Sequence, residues 1–356
     1  MFAKIARLVA VVGIVSVALT ACTPPMPPEV KAALLEQTYT CISGSASAQV
    51  PDTMSGDLPN IQQALAGNCA GMALTTVAAG NPTDIYVGTG TPAAGDCEVT
   101  TSVPYALNAA IVAATLSTAS GAVFSPETVA GIFDGSIKNW DDKRITKDNS
   151  GTPIGSGPIQ VFGTTDKRAL AAFGAWYKEI TGKSFVAPLL KAKADLTVQD
   201  LGTLADGSVA LLPYDVFSVY SVNAMTIPLA AAIVTDAKLN PTGAMADVQG
   251  IGSAGTQFEF KKNGSIVSLT MNYSAKPIPP QGSDVAPAPY GAVYPVNLSL
   301  CGKPSKVVRA VGRYLLRQDA QGTLTTLAPL PELLRAESLD VVSVGLPQPK
   351  VTAPAN

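Results

Sequence analysis

Apolar and polar positions along this chain follow two different periods in alternation, which predicts an α/β protein. Short runs rich in apolar and β-branched residues, typical of strands, occur at 76–79, 84–87, 111–116 and 159–162. Other stretches carry apolar residues at helical spacing. One such helix is predicted from Thr165 to Gly182, and another begins near Pro304. Strands that alternate with helices are typical of largely parallel sheets covered by helices.

The segment 124–142, FSPETVAGIFDGSIKNWDD, predicts a short helix with a defined start and end. Ser125 is placed as the N-cap, and Pro126 occupies the first helical position. Apolar residues then recur at helical spacing until Gly135, which ends the helix. Taken by itself, this helix fits the surface of any α/β protein.

Residues 1–21 predict a bacterial lipoprotein signal peptide. A basic region with Lys4 and Arg7 precedes the almost wholly apolar stretch 8–18, and Leu-Thr-Ala-Cys at 19–22 has the form of a lipobox. The apolar stretch is shorter than the roughly 20 residues of a membrane span, which argues against the alternative of a retained transmembrane helix. Acylation of Cys22 would anchor the chain to the extracytoplasmic face of the cell membrane. Residues 22–36, which include TPPMPP, then form the anchor cysteine and a stiff proline-rich spacer.

Four cysteines remain once Cys22 is assigned to lipid: Cys41, Cys69, Cys97 and Cys301. An even number in an exported chain favours two disulfides, with unpaired buried thiols as the alternative. Sequence alone permits three pairings. If Cys41 and Cys69 precede neighbouring parallel strands at one sheet edge, they could pair and leave Cys97 with Cys301.

Composition indicates a folded body and excludes several classes of function. A chain of 356 residues suits two domains with a sizeable core. Its 24 basic and 26 acidic residues provide no electrostatic basis for binding nucleic acid. The chain has no histidine, which removes Ser-His and Cys-His nucleophiles and the commonest metal ligand. No CxxC motif, P-loop or dinucleotide fingerprint occurs. We therefore expect neither an enzyme nor a metal or cofactor site.

The segment 124–142 resembles one found in phosphate-binding proteins of bacterial ABC importers, including the turn with Ile137 and Trp140. Three further segments resemble the same family in the same order: GSVA at 207–210, YPV at 294–296 and LP at 330–331. The resemblance covers most of residues 40–340. It implies a two-lobed periplasmic-binding-protein type 2 fold, with mixed sheets flanked by helices, two crossover strands and a ligand cleft between the lobes. By this mapping lobe one comprises 37–107 plus 290–356, and lobe two comprises 108–289. All four mature cysteines then fall in lobe one.

The segments that carry the family's phosphate ligands are altered in this chain. The family's Arg-x-Asp-Gly-Ser-Gly-Thr run corresponds to TTDKRAL at 164–170, in which Asp166 alone keeps its residue type. The first family motif corresponds to 44–49, and Gly-Ala-Ser-Asp corresponds to 88–90, where the carboxylate is missing. The candidate ligand residues at these places are Ser45, Ser47, Thr89, Thr164, Thr165, Asp166 and Arg168. Simple N-capping explains Thr164, Thr165 and Asp166 equally well, and Arg168 also fits a solvated surface charge.

The resemblance implies an extracytoplasmic solute-binding lipoprotein of a phosphate-type ABC importer. Its partners would be a small solute or oxyanion, an ABC permease, and the membrane through the lipid anchor. Because the usual phosphate ligands are lost, we expect tight phosphate binding by the family's usual mode to be absent. The alternative is a fold retained as a surface lipoprotein that binds a protein partner or senses the envelope.

Overall fold

A computed structural model describes residues 36, 39–116, 122–164, 166–190, 198–223, 229–231, 233–236, 240–244, 247–280 and 282–347. The predicted signal peptide, Cys22 and Thr165 lie outside the described residues. The strands are Gly44–Gln49 (β1), Met72–Thr76 (β2), Ile85–Gly88 (β3), Val99–Thr115 (β4), Val123–Phe124 (β5), Gln160–Gly163 (β6), Ser208–Pro213 (β7), Leu229–Ala231 (β8), Ile233–Asp236 (β9), Asn240–Ala244 (β10), Phe258–Asn263 (β11), Ile266–Met271 (β12), Val293–Cys301 (β13) and Ala328–Pro329 (β14). The helices are Leu58–Asn68 (α1), Pro126–Asp134 (α2), Lys143–Asp148 (α3), Lys167–Thr181 (α4), Val198–Leu201 (α5), Tyr214–Asn223 (α6), Val248–Gly255 (α7), Lys306–Leu315 (α8), Gln318–Gln321 (α9) and Glu332–Val342 (α10). A single 3-10 turn covers Asp52–Met54.

The long strand β4 joins two sheets. Its first part lies in a sheet with the order β11-β12-β4-β13-β3-β1-β2, to which β14 adds; we call this the first sheet. Its second part pairs with β7 and β8, and β6 pairs with β7, which forms the second sheet. Strands β5, β9 and β10 form a separate small sheet. Both parallel and antiparallel pairs occur, so the sheets are mixed and are flanked by helices.

Strand β4 is central because its sequence is apolar on both faces. Every residue from 101 to 116 is buried, so the strand lacks the alternation of a half-exposed strand. Its apolar pattern predicted a strand at 111–116 only, whereas the structure extends it back to Val99. The predicted strands 84–87 and 159–162 correspond to β3 and β6 within one residue at each end, whereas the predicted strand 76–79 shares only Thr76 with β2. The hairpin of β11 and β12 reaches the first sheet, whereas the lobe boundaries predicted above include it in lobe two.

The helix predicted within 124–142 is α2, and it begins and ends where the sequence places it. The Ser125 side chain accepts a hydrogen bond from the Thr128 backbone N–H, at 3.2 Å. Gly135 adopts a left-handed conformation with φ 84° after the last turn. Beyond it, the Trp140 ring is fully buried, and its Nε1 donates to the Gly207 carbonyl at 3.0 Å. The segment is therefore part of the protein core.

Replacing Ser125 by alanine removes the N-cap of α2, and we expect a loss of about 1 kcal/mol in the free energy of unfolding. Urea denaturation followed by circular dichroism measures it. The control is Ser125→Thr, which keeps a hydroxyl at the same position and should retain most of the stability. Equal losses for the alanine and threonine variants would contradict the capping role.

Two disulfides are present, Cys41–Cys69 and Cys97–Cys301, with Cα–Cα distances of 5.1 Å and 5.0 Å. They are the two pairs set out conditionally above. Cys41 precedes β1 and Cys69 precedes β2, and these two strands are parallel neighbours. The second disulfide joins the approach to β4 to the end of β13. Both disulfides therefore brace the first sheet.

Among the described residues, no helix is both long enough and apolar enough to cross a membrane. Residues at the end of the predicted spacer and just after it, Glu36 and Tyr39, contact the C-terminal helices. The Arg317 guanidinium lies 4.0 Å from the centre of the Tyr39 ring, and the Tyr39 hydroxyl donates to Asp319. Glu36 forms an ion pair with Arg335 of α10. The start of the folded body is thereby held against α9 and α10.

Candidate functional site

Two of the candidate ligand residues meet where the first and second sheets adjoin. Thr89 directly follows β3 of the first sheet, and Asp166 follows β6 of the second sheet. The Thr89 hydroxyl donates to Asp166 Oδ2 at 3.4 Å. Thr164 is buried behind them, and its hydroxyl accepts from the Asp166 backbone N–H at 2.9 Å. The structure therefore brings three of the predicted residues together.

Asp166 also caps helix α4, as the N-capping alternative states. Its Oδ1 accepts from the backbone N–H groups of Arg168 and Ala169, at 2.7 Å and 3.3 Å. Arg168 itself is exposed. Burial raises the pKa of the Tyr86 phenol, and the Arg168 guanidinium partly offsets that rise. Arg168 is thus close enough to the junction of the sheets to act electrostatically on a tyrosine of β3.

Ser45 and Ser47 lie on β1, away from the contact between Thr89 and Asp166. The Ser47 hydroxyl donates to Asp84 Oδ2 at 2.8 Å, and the Asp84 backbone N–H donates back to Ser47 Oγ at 3.0 Å. Asp84 comes just before β3, whereas Thr89 comes just after it, so the serine–aspartate pair lies near the opposite end of that strand. Ser45 is exposed next to β2. A ligand role for either serine stays a prediction.

A second contact joins the two sheets through residues that the sequence analysis missed. Asp215 lies in the first turn of α6, directly after β7, and its Oδ2 accepts from the Thr53 hydroxyl at 2.8 Å. Thr53 belongs to the 3-10 turn that follows β1. Asp215 Oδ1 accepts from the side-chain amide of Asn108 at 2.9 Å. One signal for this contact was present in the sequence, because Asn108 is the sole amide side chain in the apolar run of β4.

Asp215 is a carboxyl group with an unusual electrostatic environment. Burial raises its pKa, hydrogen bonds from Asn108, Thr53 and the Val216 N–H act in the opposite direction, and nearby Asp166 raises it further. None of these groups is a cation. Desolvating an ion costs several kcal/mol. The N-terminus of α6 and the three hydrogen bonds offset part of that cost without supplying an opposite charge.

Tyr294 lies beside this carboxyl group on strand β13. It is the register partner of Asn108 on β4, so their side chains project from the same face of the sheet. Only 4% of Tyr294 is exposed, and its hydroxyl has no hydrogen-bond partner in the described part of the chain. Burial raises its pKa, and Asp166 and Asp215 raise it further. An unsatisfied buried polar group costs about 1 to 3 kcal/mol, which makes this hydroxyl a candidate for a ligand contact.

We call the residues that meet between the sheets the junction cluster: Thr53, Thr89, Asn108, Asp166, Asp215 and Tyr294. The cluster supplies carboxylates, hydroxyls and an amide. Among the described residues, no group of three or more His, Cys, Asp or Glu side chains is placed to hold a metal ion. The cluster therefore combines hydrogen-bond donors and acceptors from both sheets.

Two mixed sheets linked by a long crossover strand, with polar side chains converging where they meet, define a two-lobed solute-binding fold of the periplasmic-binding-protein type 2 class. A family model described as PBP superfamily domain matches residues 55–319. The chain belongs to this superfamily, as the sequence resemblance implied. The search of curated protein sequences found no match.

Solved structures agree with this fold. A high affinity periplasmic phosphate-binding protein (PfluDING), solved with phosphate bound, has a TM-score of 0.51 at 13% identity and covers 83% of this chain and 92% of its own. A human phosphate binding apolipoprotein has a TM-score of 0.51 at 12% identity, covering 82% and 93%. At such identities the similarity establishes the fold alone.

Proposed function

We propose that this chain is the extracytoplasmic solute-binding component of a phosphate-type ABC importer, with its ligand held non-covalently in the cleft between two lobes. Residues 37–107 plus 290–356 would form lobe one, and 108–289 lobe two. The observation that carries the proposal is the hydrogen bond between Thr89 and Asp166 across the junction of the sheets. Polar side chains from both lobes converge there, as binding between lobes requires.

The proposed lipid anchor is compatible with the packing of the first described residues. We propose that Cys22 is acylated and that residues 22–36 form the spacer between the membrane and the fold. The contacts of Glu36 and Tyr39 with the C-terminal helices support a fixed end point for that spacer on the folded body. An anchored binding protein would then present its cleft to a permease in the same membrane.

Inorganic phosphate should not bind tightly to this protein. Hydrogen bonds to a charged group contribute roughly 1.5 to 3 kcal/mol each, so the loss of several family ligands lowers affinity by orders of magnitude. Isothermal titration of the chain without its lipid anchor measures the affinity directly. Submicromolar binding of phosphate would contradict this prediction while leaving the solute-binding role in place.

The second candidate function is a surface lipoprotein that binds a protein partner or senses the envelope. It is favoured by the hydrogen bond of Thr53 to Asp215, in which two protein side chains pair directly across the junction. A copurified small molecule, or a solute that raises the melting temperature, supports solute binding. Capture of a partner outside the transporter, without any solute-induced shift, supports the second function.

A further inference from the structure

The junction cluster contains a carboxylate, Asp215, to which the described residues supply hydrogen bonds but no counter-charge. The groups that act on Asp215 are the neutral donors Thr53, Asn108 and the Val216 N–H, together with the carboxylate of Asp166. Buried charges in proteins are usually paired with an opposite charge. A positively charged ligand would provide that pairing.

We propose that the junction cluster binds a small solute that carries a primary ammonium group. Asp215 and Asp166 would accept its N–H donors, and the Tyr294 hydroxyl would be the third contact. This inference rests on the proposed solute-binding function and names the class of solute for the same cleft. It differs from the phosphate ligand of the similar solved proteins in the sign of its charge.

The Tyr294 hydroxyl supports the proposal independently of the two carboxylates. It is buried, it has no partner in the described part of the chain, and it lies on the same sheet face as Asn108, which binds Asp215. A phenol oxygen can accept a hydrogen bond as well as donate one. A solute N–H placed between this oxygen and Asp215 would satisfy a group that has no partner among the described residues.

The charges of the junction cluster favour an ammonium group over a phosphate as its ligand. An ammonium group has three donors and no acceptor, which matches two carboxylates and one phenol oxygen. A phosphate dianion would be repelled by the two carboxylates, and this Coulomb repulsion is stronger in a partly buried cleft than in bulk water. Among the described residues that act electrostatically on Tyr294, Arg168 is the cation, and it is itself exposed to solvent. Net charge therefore favours the cation.

Isothermal titration with two pairs of matched probes tests the class of solute. Ethanolamine is compared with ethylene glycol, and putrescine with 1,4-butanediol, because each diol replaces ammonium by hydroxyl at the same chain length. We expect at least one amine to bind about tenfold or more tightly than its diol, which corresponds to about 1.4 kcal/mol. Equal affinities within both pairs would overturn the proposal.

Two substitutions test whether Asp215 and Tyr294 contact the solute. Asp215→Asn keeps the shape of the side chain but removes its charge, and it should lower the affinity for the amine about tenfold or more. Tyr294→Phe removes a hydroxyl that has no partner among the described residues, so the affinity should fall while the melting temperature stays the same or rises. The matched control is Tyr105→Phe, since Tyr105 is likewise buried and its hydroxyl likewise lacks a partner in the described part of the chain, but it neighbours Asp57 rather than Asp215.

The outcomes separate this inference from the function on which it rests. Tight binding of phosphate without binding of either amine would overturn the inference and leave the solute-binding function standing. An affinity for the amine that Tyr294→Phe and Tyr105→Phe change equally would overturn the assigned site. If neither the amines, the diols nor phosphate bind, both the inference and the proposed function fail.

Discussion

Replacing both Cys97 and Cys301 by serine is expected to lower the free energy of unfolding by about 4 to 5 kcal/mol. The two cysteines are 204 residues apart in the chain, so their disulfide strongly restricts the unfolded chain. In the folded protein the same bond holds the start of β4 against the end of β13, where Cys301 is the register partner of Val99. These strands form the centre of the first sheet. Urea denaturation of the oxidised proteins gives the value.

The matched control is the other disulfide. Cys41 and Cys69 are only 28 residues apart, so replacing both by serine should lower the free energy of unfolding by about 3 kcal/mol, less than the loss of the disulfide that closes the longer loop. Double substitution avoids leaving a free thiol that could form wrong pairs. A larger loss for the Cys41 and Cys69 variant would show that strain or local packing outweighs restriction of the unfolded chain.

Replacing Trp140 by alanine is expected to cost about 3 to 5 kcal/mol of unfolding free energy. The ring is fully buried, packs near Phe124 and donates to the Gly207 carbonyl. Alanine therefore leaves a cavity between α2 and the start of β7. Thermal or urea denaturation measures the loss.

Trp140→Phe separates volume from hydrogen bonding at this position. Phenylalanine fills most of the space but lacks the N–H donor, and the Gly207 carbonyl still accepts from the Gln160 backbone N–H. We expect a loss of about 1 to 2 kcal/mol for this variant. If phenylalanine were as damaging as alanine, the hydrogen bond rather than the buried ring would account for the stability of this region.

The predictions that succeeded depended on short-range rules. Ser125 and Gly135 mark the start and the end of α2, as predicted, because an N-cap and a left-handed C-terminal glycine act within a few residues. Helix α4 follows its predicted range for the same reason, with Asp166 as N-cap and Gly182 at its end. Strand β4 was predicted too short, because a strand buried on both faces has no alternation to mark its limits.

The junction cluster was predicted only in part, because its members come from distant places in the chain. Thr89 and Asp166 were found through their position in similar motifs. Motif similarity also selected Ser47, which the structure pairs with Asp84 instead. Thr53, Asn108 and Asp215 were missed, since nothing in their local sequence states that a turn, a central strand and a helix start will meet.

By itself, the sequence determined the α/β class, the capped helices, the absence of histidine chemistry and the superfamily. These properties follow from composition, residue spacing and local backbone preferences. Only the tertiary structure decided that Asp215 lies beside Asn108 and Tyr294, where none of the described groups that act on its carboxylate is a cation. The reason is physical. Burial and the pairing of charges depend on which surfaces pack together in the folded protein. The local sequence around an aspartate does not show which groups will surround its carboxylate.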